Sequence, residues 1–113
     1  MTRRAIALVD EASNAARILG VQVRIARQIR GWTARDLGER SGVSERTVLQ
    51  VESGSPSVSM GNALNVAAVV GVPLFDITDR RTLARVRVSM ERALTLIPSN
   101  VRNRKEPGVS TDF

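Results

Sequence analysis

Residues 33–52 read TARDLGERSGVSERTVLQVE, and this stretch predicts two short helices joined by a turn. Thr33 stands three residues before Asp36, which is the spacing of a capping box, so we expect the first helix to start there. Gly42 suits the positive φ that ends a helix, and Ser44 is a good N-cap for the second helix. The two predicted helices end at residues 40 and 52.

Three apolar side chains, Leu37, Val48 and Val51, give the two predicted helices a shared seam. Gly38 is small and falls where the two helices would cross. At roughly 100° per residue, the two valines lie about 60° apart on the second helix and point towards the first. This seam and this turn together indicate a helix-turn-helix.

The second helix of the pair presents polar residues on the face opposite to its valines. Arg46 and Gln50 lie on that face, with Glu45 and Leu49 beside Arg46. Arginine can bind guanine through two hydrogen bonds, glutamine can bind adenine in the same way, and a leucine can contact a thymine methyl group. The face therefore suits the major groove of DNA. For Glu45 two interpretations stay open: an acceptor for cytosine, or an acid that selects against other sequences or caps the helix.

The hydroxyl groups near the ends of this second helix are expected to contact phosphates and so to position the helix on DNA. They belong to Ser44, Thr47 and Ser53.

The chain resembles the Xre/Cro (phage repressor-like) family of DNA-binding domains between about Leu19 and Ile77. The shared residues are spread along that stretch: Leu19-Gly20, Arg27, Gly31-Trp32-Thr33, Gly42-Val43-Ser44, Val48, Val51-Glu52, Gly54 and Gly71-Val72. The resemblance implies an all-α, five-helix lambda-repressor-like domain with its recognition helix at residues 44–52. It also implies an ion pair between Arg27 and Glu52.

The resemblance further implies phosphate contacts at the start of the helix that follows Thr33. Many members of the family carry glutamine at the position of Ala34. Because alanine has no hydrogen-bonding side chain, Thr33 and Arg35 are the candidates for this contact, and Arg35 replaces the glutamine only in part.

The helices around the motif follow from apolar spacing and capping signals. One helix should cover residues 19–30, another should run from a cap near Ser59 to Gly71, and a short one should lie at residues 74–77. A second apolar stripe on the first of these helices comprises Ile18, Val21, Ile25 and Ile29. Two interpretations are open: the stripe packs with Ile6 and Leu8 of the N-terminal segment, or it contacts a partner protein or a dimer mate.

The basic excess lies after residue 79. Residues 1–79 carry 9 basic and 8 acidic groups, whereas residues 80–105 carry 8 basic groups and one acidic group, Glu91. A helix over 79–97 is predicted from a heptad-like seam, which either contacts a partner or packs back on the domain. The seam residues proposed for a dimer or partner surface are Leu83, Val86, Met90 and Ile97.

Four segments are therefore predicted. They are an N-terminal extension (1–18), the DNA-binding domain (19–78), a C-terminal helix (79–97) and a flexible basic tail (98–113). The basic run at residues 102–105 is either a solvated part of that tail or a contact to phosphates or a minor groove.

Composition excludes several classes of function. The chain of 113 residues has a net charge of +6 and contains neither His nor Cys, the residues that zinc sites, thiol nucleophiles and His-based triads require. We therefore expect no enzyme activity, no metal site and no cofactor. No apolar run approaches the roughly 20 residues of a membrane span, so a cytoplasmic protein without a membrane partner is predicted.

These features predict a sequence-specific transcriptional repressor that binds double-stranded DNA as a homodimer on an inverted repeat. The alternative is a HipB-like antitoxin of a type II toxin-antitoxin module, which binds a protein toxin and represses its own operon. Two features that a DNA-binding domain does not require motivate this alternative: the second apolar stripe of the first helix and the stretch beyond residue 77.

Overall fold

The computed structural model describes residues 7–99. It contains five helices and no β-strand within that range: α1 (Asp10–Ile29), α2 (Ala34–Ser41), α3 (Glu45–Glu52), α4 (Met60–Val70) and α5 (Arg80–Leu94). The chain divides into two compact units at residues 78 and 79, so α1 to α4 form one unit and α5 belongs to the other. The expected all-α architecture is confirmed.

The core of the first unit is aliphatic. Its largest fully buried side chains come from all four helices: Val23, Leu37, Val48, Val66 and Val70. With so few aromatic residues in the chain, small branched side chains must fill the space between the helices, and this requires the helices to approach each other closely.

Helix α1 passes without a break through the predicted boundary between residues 18 and 19. Its inner side packs against α3 at Gly20. A Cβ atom at Gly20 would lie 2.5 Å from the carbonyl oxygen of Val51 and would also overlap that of Glu52. The absence of a side chain at Gly20 therefore lets α1 approach the C-terminal end of α3.

Replacing Gly20 by Ala is expected to destabilise the domain by about 1–3 kcal/mol or more, because two backbone carbonyls must move to admit the methyl group. The matched control is Gly61→Ala in α4, where an added Cβ meets no atom within 4 Å. That variant should gain about 0.5–1 kcal/mol from the higher helix propensity of alanine. Chemical denaturation of both variants measures the two effects, and a shift of the same sign in both would contradict this packing.

The second apolar stripe of α1 lies on the outer side of the helix. Its four residues are more than half exposed, with Ile29 at 81%. Leu8 does not cover them, because it lines a groove on the core side of α1 together with Ala12 and Leu19. The interpretation that the stripe packs with Leu8 is therefore wrong, and Ile6 lies outside the described residues.

The short helix predicted at residues 74–77 is not formed. Instead, the backbone N–H of Ile77 donates to the carbonyl of Leu74 at 3.0 Å, and the two residues form an isolated antiparallel bridge. Phe75 and Asp76 between them have positive φ angles of 54° and 61°. Four residues offer too few hydrogen bonds to offset the cost of starting a helix, so a tight hairpin turn is formed.

Helix α5 begins with a capped turn, in which the carboxylate of Asp79 accepts hydrogen bonds from the backbone N–H and the hydroxyl of Thr82. It ends at Leu94, three residues earlier than predicted, and Ile97 lies beyond it in turns. Proline at position 98 disfavours helical geometry for the residue before it, which explains the early end.

The predicted tail lies outside the described residues from residue 100 onwards, including the basic run at 102–105. The division of the chain into four segments stays a prediction. Between residues 7 and 99, no helix has both the length and the apolar character that crossing a bilayer requires.

Candidate nucleic-acid interface

The first helix of the motif starts with a complete capping box. The Thr33 hydroxyl accepts from the backbone N–H of Asp36 at 3.0 Å, and the Asp36 carboxylate accepts from the backbone N–H of Thr33 at 2.8 Å. The Thr33 backbone N–H, and secondarily its hydroxyl, hold the pKa of Asp36 below its usual value. The sequence prediction of this helix start is confirmed.

This lowered pKa makes a prediction for acid unfolding. A carboxyl group whose pKa falls on folding stabilises the fold above its unfolded pKa of about 3.9, and the stabilisation disappears as the pH falls through the folded pKa. The wild type should therefore have a higher thermal midpoint than Asp36→Ala near neutral pH. This difference should shrink as the pH falls below about 4. A difference that stays constant down to pH 2 would contradict the capping role.

The turn between the two helices depends on two glycines. Gly42 ends α2 with a left-handed φ of 73°, as predicted. A Cβ atom at Gly38 would lie 2.7 Å from the carbonyl oxygen of Val43, so glycine is needed where the incoming chain crosses α2. From α4, the Asn65 amide donates to the carbonyl of Ser41 at 2.8 Å and fixes the end of α2.

Helix α3 hides its valines and exposes its other face. Val48 is fully buried and Val51 is 4% exposed. Ser44 caps the helix by accepting from the backbone N–H of Thr47 at 3.0 Å, and the two hydroxyls lie 3.0 Å apart. Both features of the predicted second helix, its cap and its buried pair, are confirmed.

The four candidate base-reading residues lie on the outer part of α3. Arg46 and Glu45 are exposed, Leu49 is 48% exposed and Gln50 is half-buried. The side chains of Arg46, Gln50 and Glu45 form no hydrogen bond or ion pair with a described residue. These polar groups are therefore available to an external ligand.

The hydroxyl groups that are candidates for phosphate contacts differ in their exposure and in the hydrogen bonds that they already form within the domain. Thr33 and Ser44 are exposed at the starts of α2 and α3, and Thr47 is half-buried against Ser44. The Ser53 hydroxyl donates to the carbonyl of Gln50 at 3.0 Å, so its proton is used within the domain.

Arg35, the remaining candidate, is exposed and lies 3.6 Å from the carboxylate of Glu39 one turn along α2. The i, i+4 spacing of these two residues is visible in the sequence and signals such a pair.

Arg27 and Glu52 lie behind α3 and form a bidentate ion pair. The Arg27 guanidinium donates to the two Glu52 carboxylate oxygens at 2.6 and 3.0 Å and to the carbonyl of Trp32 at 3.0 Å. The hydrogen bond to Glu52 raises the pKa of Arg27 against the opposing effect of burial. The pair connects α1, the end of α3 and the entry to α2, so it holds α3 in place.

Sequence reasoning missed the surroundings of Trp32. Its ring is half-buried, with the guanidinium of Arg40 at 4.1 Å and that of Arg30 at 5.1 Å from the ring centre. Arg30 also donates to the carbonyl of Val70 at 2.8 Å. The cation–π contacts connect the ends of α1 and α2, the hydrogen bond adds the end of α4, and no local sequence signal predicts this arrangement.

The comparisons with known proteins agree with this geometry. A sequence-family model described as a helix-turn-helix domain, of the Xre/Cro-like class, matches residues 18–77, which is more than half of the chain. The match confirms the resemblance and the lambda-repressor-like fold, and domains of this class bind DNA and are typically not enzymes. A comparison with curated proteins finds no match.

Proposed function

The chain belongs to the helix-turn-helix domain family, and from this membership we propose that it is a sequence-specific transcriptional repressor acting as a homodimer on an inverted-repeat operator. In this proposal α3 enters the major groove. Arg46 and Gln50 contact base edges, with Glu45 and Leu49 beside them. Phosphate contacts come from the helix ends, through Thr33, Arg35, Ser44, Thr47 and Ser53.

One observation carries the proposal. The outward face of α3 presents an arginine and a glutamine whose side chains no described residue binds, while the inward face is fixed by two buried valines and the Arg27–Glu52 pair. A reading helix needs this combination, because a rigidly held backbone reduces the entropy lost when the side chains bind bases. Two copies with half-sites about 34 Å apart would place both helices on one side of the duplex.

A mobility-shift titration against the DNA upstream of the gene tests the proposal. The protein should bind that duplex in preference to a scrambled duplex of equal composition. Its affinity should fall with salt by a slope of about −0.9 per phosphate neutralised. Equal binding to both duplexes, with the salt dependence alone retained, would contradict sequence-specific repression.

A second candidate function, that of an antitoxin, is favoured by the exposed seam of α5. Leu83 and Val86 are half-buried, whereas Met90 is 68% exposed and Ile97, past the helix end, is 55% exposed. An amphipathic helix with an apolar seam can dock into a groove of a partner protein. In this version α5 holds a protein toxin, while the domain formed by α1 to α4 represses the shared operon.

Co-expression with the product of the adjacent gene separates the two candidates. A stable complex that Met90→Glu disrupts supports the antitoxin. Failure of the two proteins to co-purify, with operator binding intact, leaves the repressor as the function.

A further inference from the structure

The outer face of α1 carries an apolar ridge that the packing of α1 to α4 leaves exposed. The ridge consists of Ile18, Val21, Ile25 and Ile29, which are 60%, 54%, 52% and 81% exposed. At roughly 100° per residue these four positions fall within an arc of about 80°, on the side of the helix away from the buried Gly20 and Val23. Four branched apolar side chains on one helix face are typical of a contact surface.

A strained turn adds an aromatic side chain beside this ridge. Phe75 is 83% exposed, and it lines a groove of about 410 Å³ together with Ile18, Gln22 and Leu74. Its φ angle of 54° is in the left-handed region that bulky residues avoid. The domain therefore holds a phenylalanine outward at a conformational cost that its own packing does not offset.

We propose that the α1 ridge and Phe75 form a homodimer interface whose occupant is the same surface of a second copy. Added together, the exposed parts of these five residues equal about three fully exposed apolar side chains. Their exposed apolar surface is therefore on the order of 300 Å² per protomer. A standard interface buries about 800 Å² per partner, somewhat more than half of it apolar. The five side chains thus supply most of the apolar area that a stable dimer needs.

A ridge that meets the same ridge of a second copy about a two-fold axis is the isologous contact that two-fold dimers use.

The inference rests on the proposed function, because it names the surface through which the proposed repressor dimerises. The interface is compatible with DNA binding, since α3 packs on the opposite side of α1 and its outward face stays free. The α5 seam is then left for another partner.

Sedimentation equilibrium of three proteins tests the interface. The wild type should be a dimer, Ile25→Glu should be a monomer, and the control Met90→Glu, which places the same charge on the α5 seam, should stay a dimer. Circular dichroism must show equal helix content in all three. A wild type that is monomeric at every concentration, or a dimeric Ile25→Glu, would overturn the proposal.

Phe75→Asn gives a second test that misfolding cannot imitate. Asparagine tolerates a positive φ, so this variant should be at least as stable as the wild type when both are diluted to monomers. Its dimer dissociation constant should nevertheless rise roughly 10- to 100-fold, because two phenylalanines leave the interface. An unchanged dissociation constant would contradict the role of Phe75.

DNA binding measured on the same samples keeps the two proposals separate. A dimeric wild type that does not bind its upstream DNA, together with a monomeric Ile25→Glu variant, rejects the repressor and supports the interface. Operator binding by a dimeric Ile25→Glu variant supports the repressor and overturns the interface.

Discussion

Replacing Glu52 by Ala is expected to lower the free energy of unfolding by about 3–5 kcal/mol. The Glu52 side chain is 6% exposed and that of Arg27 is 12% exposed, so little solvent reaches the pair. Without the carboxylate, the Arg27 guanidinium keeps its charge inside the domain with the carbonyl of Trp32 as its hydrogen-bond partner. Small domains have only about 5–15 kcal/mol of stability in total, so this loss takes a large share of it.

Urea denaturation of Glu52→Ala beside Glu39→Ala measures this effect. Glu39 pairs with Arg35 at 3.6 Å with both side chains largely exposed, and exposed pairs contribute only about 0–1 kcal/mol. The double variant Arg27→Met/Glu52→Leu should recover most of the stability, since it leaves no unpaired charge. Equal small losses in the two single variants would show that the buried pair does not hold α3.

The sequence was sufficient for the parts of the fold that depend on neighbouring residues. The capping box at Thr33, the left-handed Gly42 and the cap at Ser44 are each determined within four residues. The inward direction of Val48 and Val51 follows from helical periodicity alone. For this reason the limits of α3 and the face that it buries follow from the sequence.

The errors occurred where distant residues or single turns determine the structure. The contacts of Trp32 with Arg30 and Arg40 join the ends of α1 and α2, and the hydrogen bond from Arg30 to the carbonyl of Val70 adds the end of α4, which sequence spacing does not relate to them. Pro73 suits the first position of a helix and so predicts one at residues 74–77, but a proline at this position is equally compatible with the hairpin turn that forms there. The covering of the α1 stripe was misassigned because periodicity shows that a face is apolar, but does not show what covers it.

The double substitution of Arg46 and Gln50 by Ala is expected to reduce discrimination between the operator and scrambled DNA by roughly 30- to 20,000-fold per half-site, since each bidentate contact contributes about 1–3 kcal/mol. Residual binding should keep a salt dependence, because the phosphate contacts are untouched. Stability should change little, since neither side chain is engaged by a described residue. Fluorescence anisotropy with both duplexes measures the ratio of affinities.

Arg24→Ala is the matched control for the charge removed at position 46. Arg24 is exposed on α1 and forms no ion pair with a described residue, so its removal lowers the net charge by the same amount. This control should weaken binding to the operator and to scrambled DNA almost equally. An equal loss of specificity in the control would mean that charge, and not base reading, explains the effect.

The most direct test of base reading by α3 is selection of binding sites from a randomised DNA duplex pool. The wild type should enrich an inverted repeat with half-sites about 10 base pairs apart, and Arg46→Ala/Gln50→Ala should lose the preference at specific positions within each half-site while others persist. Identical enriched sequences from the two proteins would contradict the assignment of Arg46 and Gln50 to the bases.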